Sequence, residues 1–220
     1  MSLQEVQLYV KPRLRGWLHA GAVPAVVIGG LILVLLAPAG LKFDATVYAV
    51  SAVALFAISA TFHRGSWGPT ASLILQRLDH ATIFLFIAGT YTAMLGAVFV
   101  DGSAGMLLWV VWIMALLGVI FRVAWPGAPR WMTVPLYIGL GWSVMFYMPA
   151  FWTEGGVAIF FLVLLGGIAY TVGAIIYGLR RPDPSPKWFG FHEIFHSCTL
   201  GGYVTHYAGI ALAFGTVAVR

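Results

Sequence analysis

Three histidines, an aspartate and a serine stand out in a chain otherwise poor in polar chemistry. Ser59 and His63 lie in SATFH, Asp79 in QRLDHA, and His192 and His196 in FHEIFHS. Ser59 and His63 are four residues apart, as are His192 and His196, so each pair shares one face of a helix. Neutral imidazole nitrogens bind zinc at about 2.0–2.1 Å, and three protein ligands leave a fourth position open for water. Such a site brings the pKa of that water to about 7 and supplies hydroxide near neutral pH. The expected ligands are His63, His192 and His196, with zinc as the cofactor. Asp79 is the candidate base, and Ser59 is placed to orient a ligand or the water through a hydrogen bond; these two are the catalytic candidates.

Histidines within apolar spans also serve as hydrogen-bond links between helices, worth about 0.6 kcal/mol on average in membranes. His19 and His206 are read in that way. His19, near the start of the first span, also has the alternative of snorkelling to the interface. His80 points about 100° away from Asp79 around a helix and is read as a supporting or packing group.

The elements that carry these residues are set by composition. The 220 residues are 61% hydrophobic and only 9% charged, with a mean hydropathy of +0.93. Soluble domains carry about 25% charged residues. A chain this apolar cannot cover itself with polar groups, so one integral membrane domain is expected, with no room for a second, soluble one. Met1 to Arg15 is polar and the first apolar run is long enough to span, which argues against a cleavable signal peptide. A single cysteine, Cys198, excludes an intrachain disulfide. The net charge of +5 does not imply nucleic-acid binding, because the basic residues are scattered at the ends of apolar runs and form no patch with interleaved aromatics.

The sparse charges mark out the spans. No Asp, Glu, Lys or Arg falls between Arg15 and Lys42, Asp44 and Arg64, Asp79 and Asp101, Asp101 and Arg122, Arg130 and Glu154, Glu154 and Arg180, or Glu193 and Arg220. Each interval approaches the roughly 20 apolar residues that a spanning helix needs. Seven transmembrane helices are therefore expected, making an all-α membrane protein, near 17–38, 45–64, 74–99, 104–122, 131–150, 155–178 and 189–215. Three prolines in GLRRPDPSPKW, between the last two spans, exclude helix there.

With the N-terminus in the cytoplasm, the inside segments hold Lys11, Arg13, Arg15, Arg64, Arg77, Arg122, Arg130, Arg180, Arg181 and Lys187, and the outside holds Lys42 and Arg220. The positive-inside rule then predicts a cytoplasmic N-terminus and an external C-terminus. This topology comes from Lys and Arg alone. It nonetheless places Ser59, His63, Asp79, His192 and His196 at one depth, near the cytoplasmic face.

The ordered set of Ser59-x3-His63, Asp79 and His192-x3-His196, with the strings HRGSW and RLDHATIFLFIAGTYT, resembles the signature of the progestin and adipoQ receptor family, and within it the bacterial hemolysin III-related branch. The resemblance covers essentially the whole chain. It implies zinc held by His63, His192 and His196, with Asp79 binding it through water and Ser59 nearby. It also implies kinship with alkaline ceramidases, and hence a hydrolase of a membrane lipid amide active in membrane lipid homeostasis. Membrane lipids are the expected partners, with a lipid or fatty acid as ligand in the bundle, and the short termini and family branch point to a bacterial inner membrane. Nothing in the sequence sets the oligomeric state.

Three other readings fit the same residues. Zinc in a three-histidine site also ties helices together, as in a non-enzymatic sensor or regulator of membrane state. The hemolysin label suggests a pore former, although the polar residues cluster on one side rather than lining a stripe through the bilayer. Finally, residues 192–196 match H-E-x-x-H of zinc peptidases, in which Glu193 rather than Asp79 is the base. His206 lies about 15 Å further along a continuous helix, too far to be the third ligand, which favours His63. Glu193 otherwise reads as an interfacial carboxylate near a helix start, where the dipole favours it.

Overall fold

A computed structural model describes residues 11–219. The first ten residues of the polar N-terminal segment, and Arg220 at the far end, lie outside the described residues. Seven helices are long and apolar enough to cross a membrane, and there is no β-strand among the described residues. They are α1 (Trp17–Leu36), α2 (Lys42–Arg64), α3 (Pro69–Val98), α4 (Gly105–Ala124), α5 (Arg130–Gly141), α6 (Val157–Leu179) and α7 (Phe191–Val219). The fifth span continues beyond α5 to Gly155 in irregular turns.

The third helix is the axis of the bundle. In its most apolar stretch 78% of residues are buried, whereas no other span exceeds 39%. It touches α2, α4, α5 and α7, while α4, α5, α6, α7, α1 and α2 follow one another around it, each of the first five packed on the next. Its sequence suits that place, because Ala88, Gly89, Ala93 and Ala97 let neighbouring backbones come close. At Gly89 an added Cβ would run into the Ser51 side chain of α2. The outer helices turn large apolar side chains outward, such as Ile28, Leu31 and Leu35 on α1 and Trp109, Ile113 and Leu117 on α4. In water such a surface would be unstable; in a bilayer it faces acyl chains.

Two expected boundaries differ. The third helix begins at Pro69 rather than near 74, because a proline in the first turn gives up an N–H that has no helical partner in any case. The fifth span is not one regular helix over 131–150. Its α-helical part ends at Gly141, and 3-10 turns (Trp142–Tyr147), a single α-turn and a π-turn (Phe151–Gly155) follow. The Tyr91 hydroxyl of α3 stands in for the lost ladder: it accepts from Val144 N at 2.8 Å and from the Ser143 hydroxyl at 3.0 Å, and it donates to Gly141 O at 2.8 Å. Irregular backbone at membrane depth needs partners of this kind inside the protein.

The end of the bundle that carries the histidines is tied together by its loops. Arg13 N donates to Lys187 O at 3.0 Å and Leu14 N to Trp188 O at 3.2 Å, and the Arg13 guanidinium lies over the Trp188 ring. The residues before α1 are thus strapped to the nonhelical link between α6 and α7.

Gly89→Val is expected to lower stability by about 1–3 kcal/mol through overpacking of the α2–α3 contact. Gly21→Val, where an added Cβ meets nothing within 4 Å, is expected to leave it unchanged. Thermal unfolding in detergent compares the two, and equal midpoints would remove Gly89 from the packing account.

Candidate metal centre

His63 stands in the last turn of α2, and His192 and His196 occupy the first two turns of α7. One ring nitrogen of each lies within 4.8 Å of the others. The rings meet edge to face, with centroids 4.7 Å apart for His63 and His192, 5.3 Å for His63 and His196, and 4.5 Å for His192 and His196. All three side chains are buried. Each nevertheless keeps a buried nitrogen without a hydrogen-bond partner: Nε2 of His63, Nε2 of His192 and Nδ1 of His196. An unmet buried polar atom costs about 1–3 kcal/mol, and three together on converging rings fit the donor set of a metal ion. The group can therefore hold a metal ion.

Asp79, on α3, brings Oδ2 to 3.6 Å from His63 Nε2, and its side chain is 12% exposed. Ser59, one turn before His63, is buried beside that carboxylate. Asp79, Ser59, His192 and His196 border one cavity of about 150 Å³. From the histidines it runs past Phe86 and Tyr170 to Trp142 and His206, and its wall is mostly apolar. A second space of about 50 Å³ adjoins it, sharing Thr90, Tyr91 and Trp142 and reaching Phe151.

Glu193 is fully buried, and both of its oxygens are engaged. Arg15 Nε donates to Oε1 at 2.5 Å, and Gly190 N donates to Oε2 at 2.8 Å. The interfacial carboxylate expected at this position is instead an interior ion pair linking the segment before α1 to the first turn of α7. Engaged in this way, Glu193 is not poised as a peptidase-type base, whereas Asp79 faces the cavity. His80 is half-buried; its Nδ1 bonds Gln76 O at 2.8 Å and its Nε2 lies 3.4 Å from the Tyr177 hydroxyl. His206 bonds Val163 O of α6 through Nε2 at 3.1 Å, the interhelical link expected of it.

His19 departs from its expected place. It neither snorkels nor links helices by a hydrogen bond. It is 2% exposed, stacked on His196, and unpartnered at both nitrogens. Its position at the start of α1 puts it at the depth of the other histidines, but a helix apolar all round gives no sign of which way the ring turns. The interior role of Arg15 likewise has no local signal, since its partner lies 178 residues away.

Fold and site define a seven-helix integral membrane protein with a buried three-histidine group at one end, two of whose members border a mostly apolar cavity. Residues 7–207 match the family model described as haemolysin-III related. The chain is 33% identical over 159 residues to the hemolysin-3 homolog of Bacillus subtilis, covering 71% of this chain and 70% of that protein. To hemolysin-3 of Bacillus cereus it is 32% identical over 158 residues, covering 71% and 68%. A more distant similarity, 24% over 192 residues, covers 86% of this chain and 77% of the human monocyte to macrophage differentiation factor. The chain belongs to the hemolysin III-related group of the progestin and adipoQ receptor family.

Two expectations follow. Purified protein carries a near-stoichiometric divalent metal by elemental analysis, and His63→Ala and His192→Ala each lose most of it; full retention by both variants would rule the group out. Glu193→Ala breaks the buried Arg15–Glu193 pair and is expected to cost up to about 3–5 kcal/mol, seen as a lower thermal unfolding midpoint.

Proposed function

We propose that the protein is a zinc-dependent hydrolase of a membrane lipid, acting on an amide of the ceramide type and serving membrane lipid homeostasis. One observation carries this reading: His192 and His196 of the three-histidine group share a cavity with the Asp79 carboxylate and Ser59, and the wall of that cavity is mostly apolar. His63, His192 and His196 would hold the zinc. When bound, zinc supplies Lewis-acid activation of a carbonyl and of water.

The remaining steps belong to the chain's own residues. Asp79 takes a proton from the attacking water as its oxygen bonds to the carbonyl carbon, and returns a proton to the amide nitrogen as the carbon–nitrogen bond breaks. Ser59 holds the Asp79 carboxylate in place. The apolar wall around Phe86 and Tyr170 receives the acyl chain of the substrate, or of a fatty acid left as product, and keeps bulk water from the reacting atoms.

The basic residues at the histidine end support a cytoplasmic site, with the N-terminus inside and the C-terminus outside, by the positive-inside rule. The two Bacillus relatives support placement in a bacterial plasma (inner) membrane.

The test is lipid mass spectrometry on protein reconstituted into ceramide-containing vesicles. Wild type is expected to release fatty acid, His196→Ala to release none, and Asp79→Asn to slow release by about 10²-fold or more while retaining zinc. Release at the wild-type rate by a zinc-loaded Asp79→Asn variant would overturn the role of Asp79. A zinc-loaded wild type that changes no lipid but loses thermal stability on chelation would replace catalysis with a structural metal in a membrane-state sensor.

A further inference from the structure

His19 is a fourth histidine at the metal centre, packed against His196. Its ring stacks on that of His196 with centroids 3.7 Å apart and planes 10° apart. Phe56 closes on it edge to face at 4.8 Å. The other histidines away from the triad bond to backbone carbonyls: His80 to Gln76 O and His206 to Val163 O. His19 makes no hydrogen bond through either nitrogen, so hydrogen bonding does not account for an imidazole buried at this place.

Ligation of the same ion does not account for it either. An imidazole coordinates through a lone pair that lies in the plane of its ring. The rings of His63, His192 and His196 stand at 60° to 74° to one another, an arrangement that lets lone pairs converge. Parallel stacked rings direct theirs side by side. What the stack does constrain is the rotation of His196, whose ring cannot turn without lifting off its neighbour. The attraction also grows when His196 is metal-bound. A ring sharing its electrons with a dication becomes electron-poor, and the electron-rich face of a neutral aromatic neighbour draws it closer.

We propose that His19 is a positioning residue of the metal centre: it fixes the plane of the His196 ring by stacking and tightens metal binding without ligating the ion. This rests on the reading of His63, His192 and His196 as a metal centre. It gives α1, which supplies no ligand, a direct hold on the site.

The test compares His19→Phe, which keeps a ring, with His19→Leu, which fills the space without one. Zinc affinity is measured on the full-length protein in detergent by competition with a chelating dye, and imidazole ligands are counted by X-ray absorption. Wild type and His19→Phe are expected to bind alike. His19→Leu is expected to bind about tenfold more weakly, with three imidazoles in every case and metal-free unfolding midpoints that agree. His19→Leu affinity within twofold of wild type overturns the proposal. So does an equal loss in both variants, or one imidazole fewer in the variants than in wild type, which would make His19 a ligand. A wild type that takes up no zinc would instead fail the metal-centre reading itself.

Discussion

An unmet polar atom inside a membrane-spanning bundle is costly, because hydrocarbon offers it nothing and buried protein must supply the partner. Most of the polar chemistry in this chain obeys that constraint locally. Thr90, Thr92 and Thr199 return their hydroxyls to the carbonyl one turn back on their own helices. The indole of Trp112 reaches across to the Thr92 hydroxyl, and that of Trp142 to Thr171. Eleven buried side-chain atoms among the described residues remain unmet, and five of them belong to His19, His63, His192 and His196. The concentration of that cost in one place sets the histidine cluster apart from ordinary polar links between helices.

Holding such a cluster takes more than the helices that bear it. The start of α7 is gripped from outside by the segment before α1, through two backbone hydrogen bonds, a cation over Trp188 and the buried Arg15–Glu193 pair. Consecutive residues on α7 therefore do different jobs. Glu193 answers Arg15, while His192 and His196 meet His63. The H-E-x-x-H string is thus split between two partners. A buried ion pair adds little net stability compared with apolar packing; its effect here is to fix where α7 begins, and with it where two of the three converging imidazoles stand.

The sequence disclosed what depends on long-range regularity and hid what depends on local facing. Seven helices were legible because lipid imposes a length and permits few charges, so the charges themselves became punctuation. His63, His192 and His196 were legible because polar residues at helix ends with i, i+4 spacing have few places to point. His19 was not: α1 is apolar on every side, and only coordinates tell which side meets α7. The break after Gly141 was hidden for another reason. Its backbone is met by the hydroxyl of Tyr91, fifty residues earlier, and no window of local sequence contains both. Arg15 read as a topology signal and is also an interior partner, two roles that a charge count cannot separate.

The irregular run after Gly141 has a mechanical consequence. A regular helix resists bending because each turn repeats the bonds of the last, and five of the six spans around α3 are walls of that kind. The remaining wall, the fifth span, borders both cavities at Gly141 and Trp142 and has no such repeat over most of the half that follows Gly141. The Tyr91 phenol holds it by donating to Gly141 O and accepting from the Ser143 hydroxyl and Val144 N, and the Trp142 indole adds a bond to Thr171. The chamber thus has one flank whose shape rests on side-chain bonds from α3 and α6, where the other flanks rest on the repeating bonds of their own backbones.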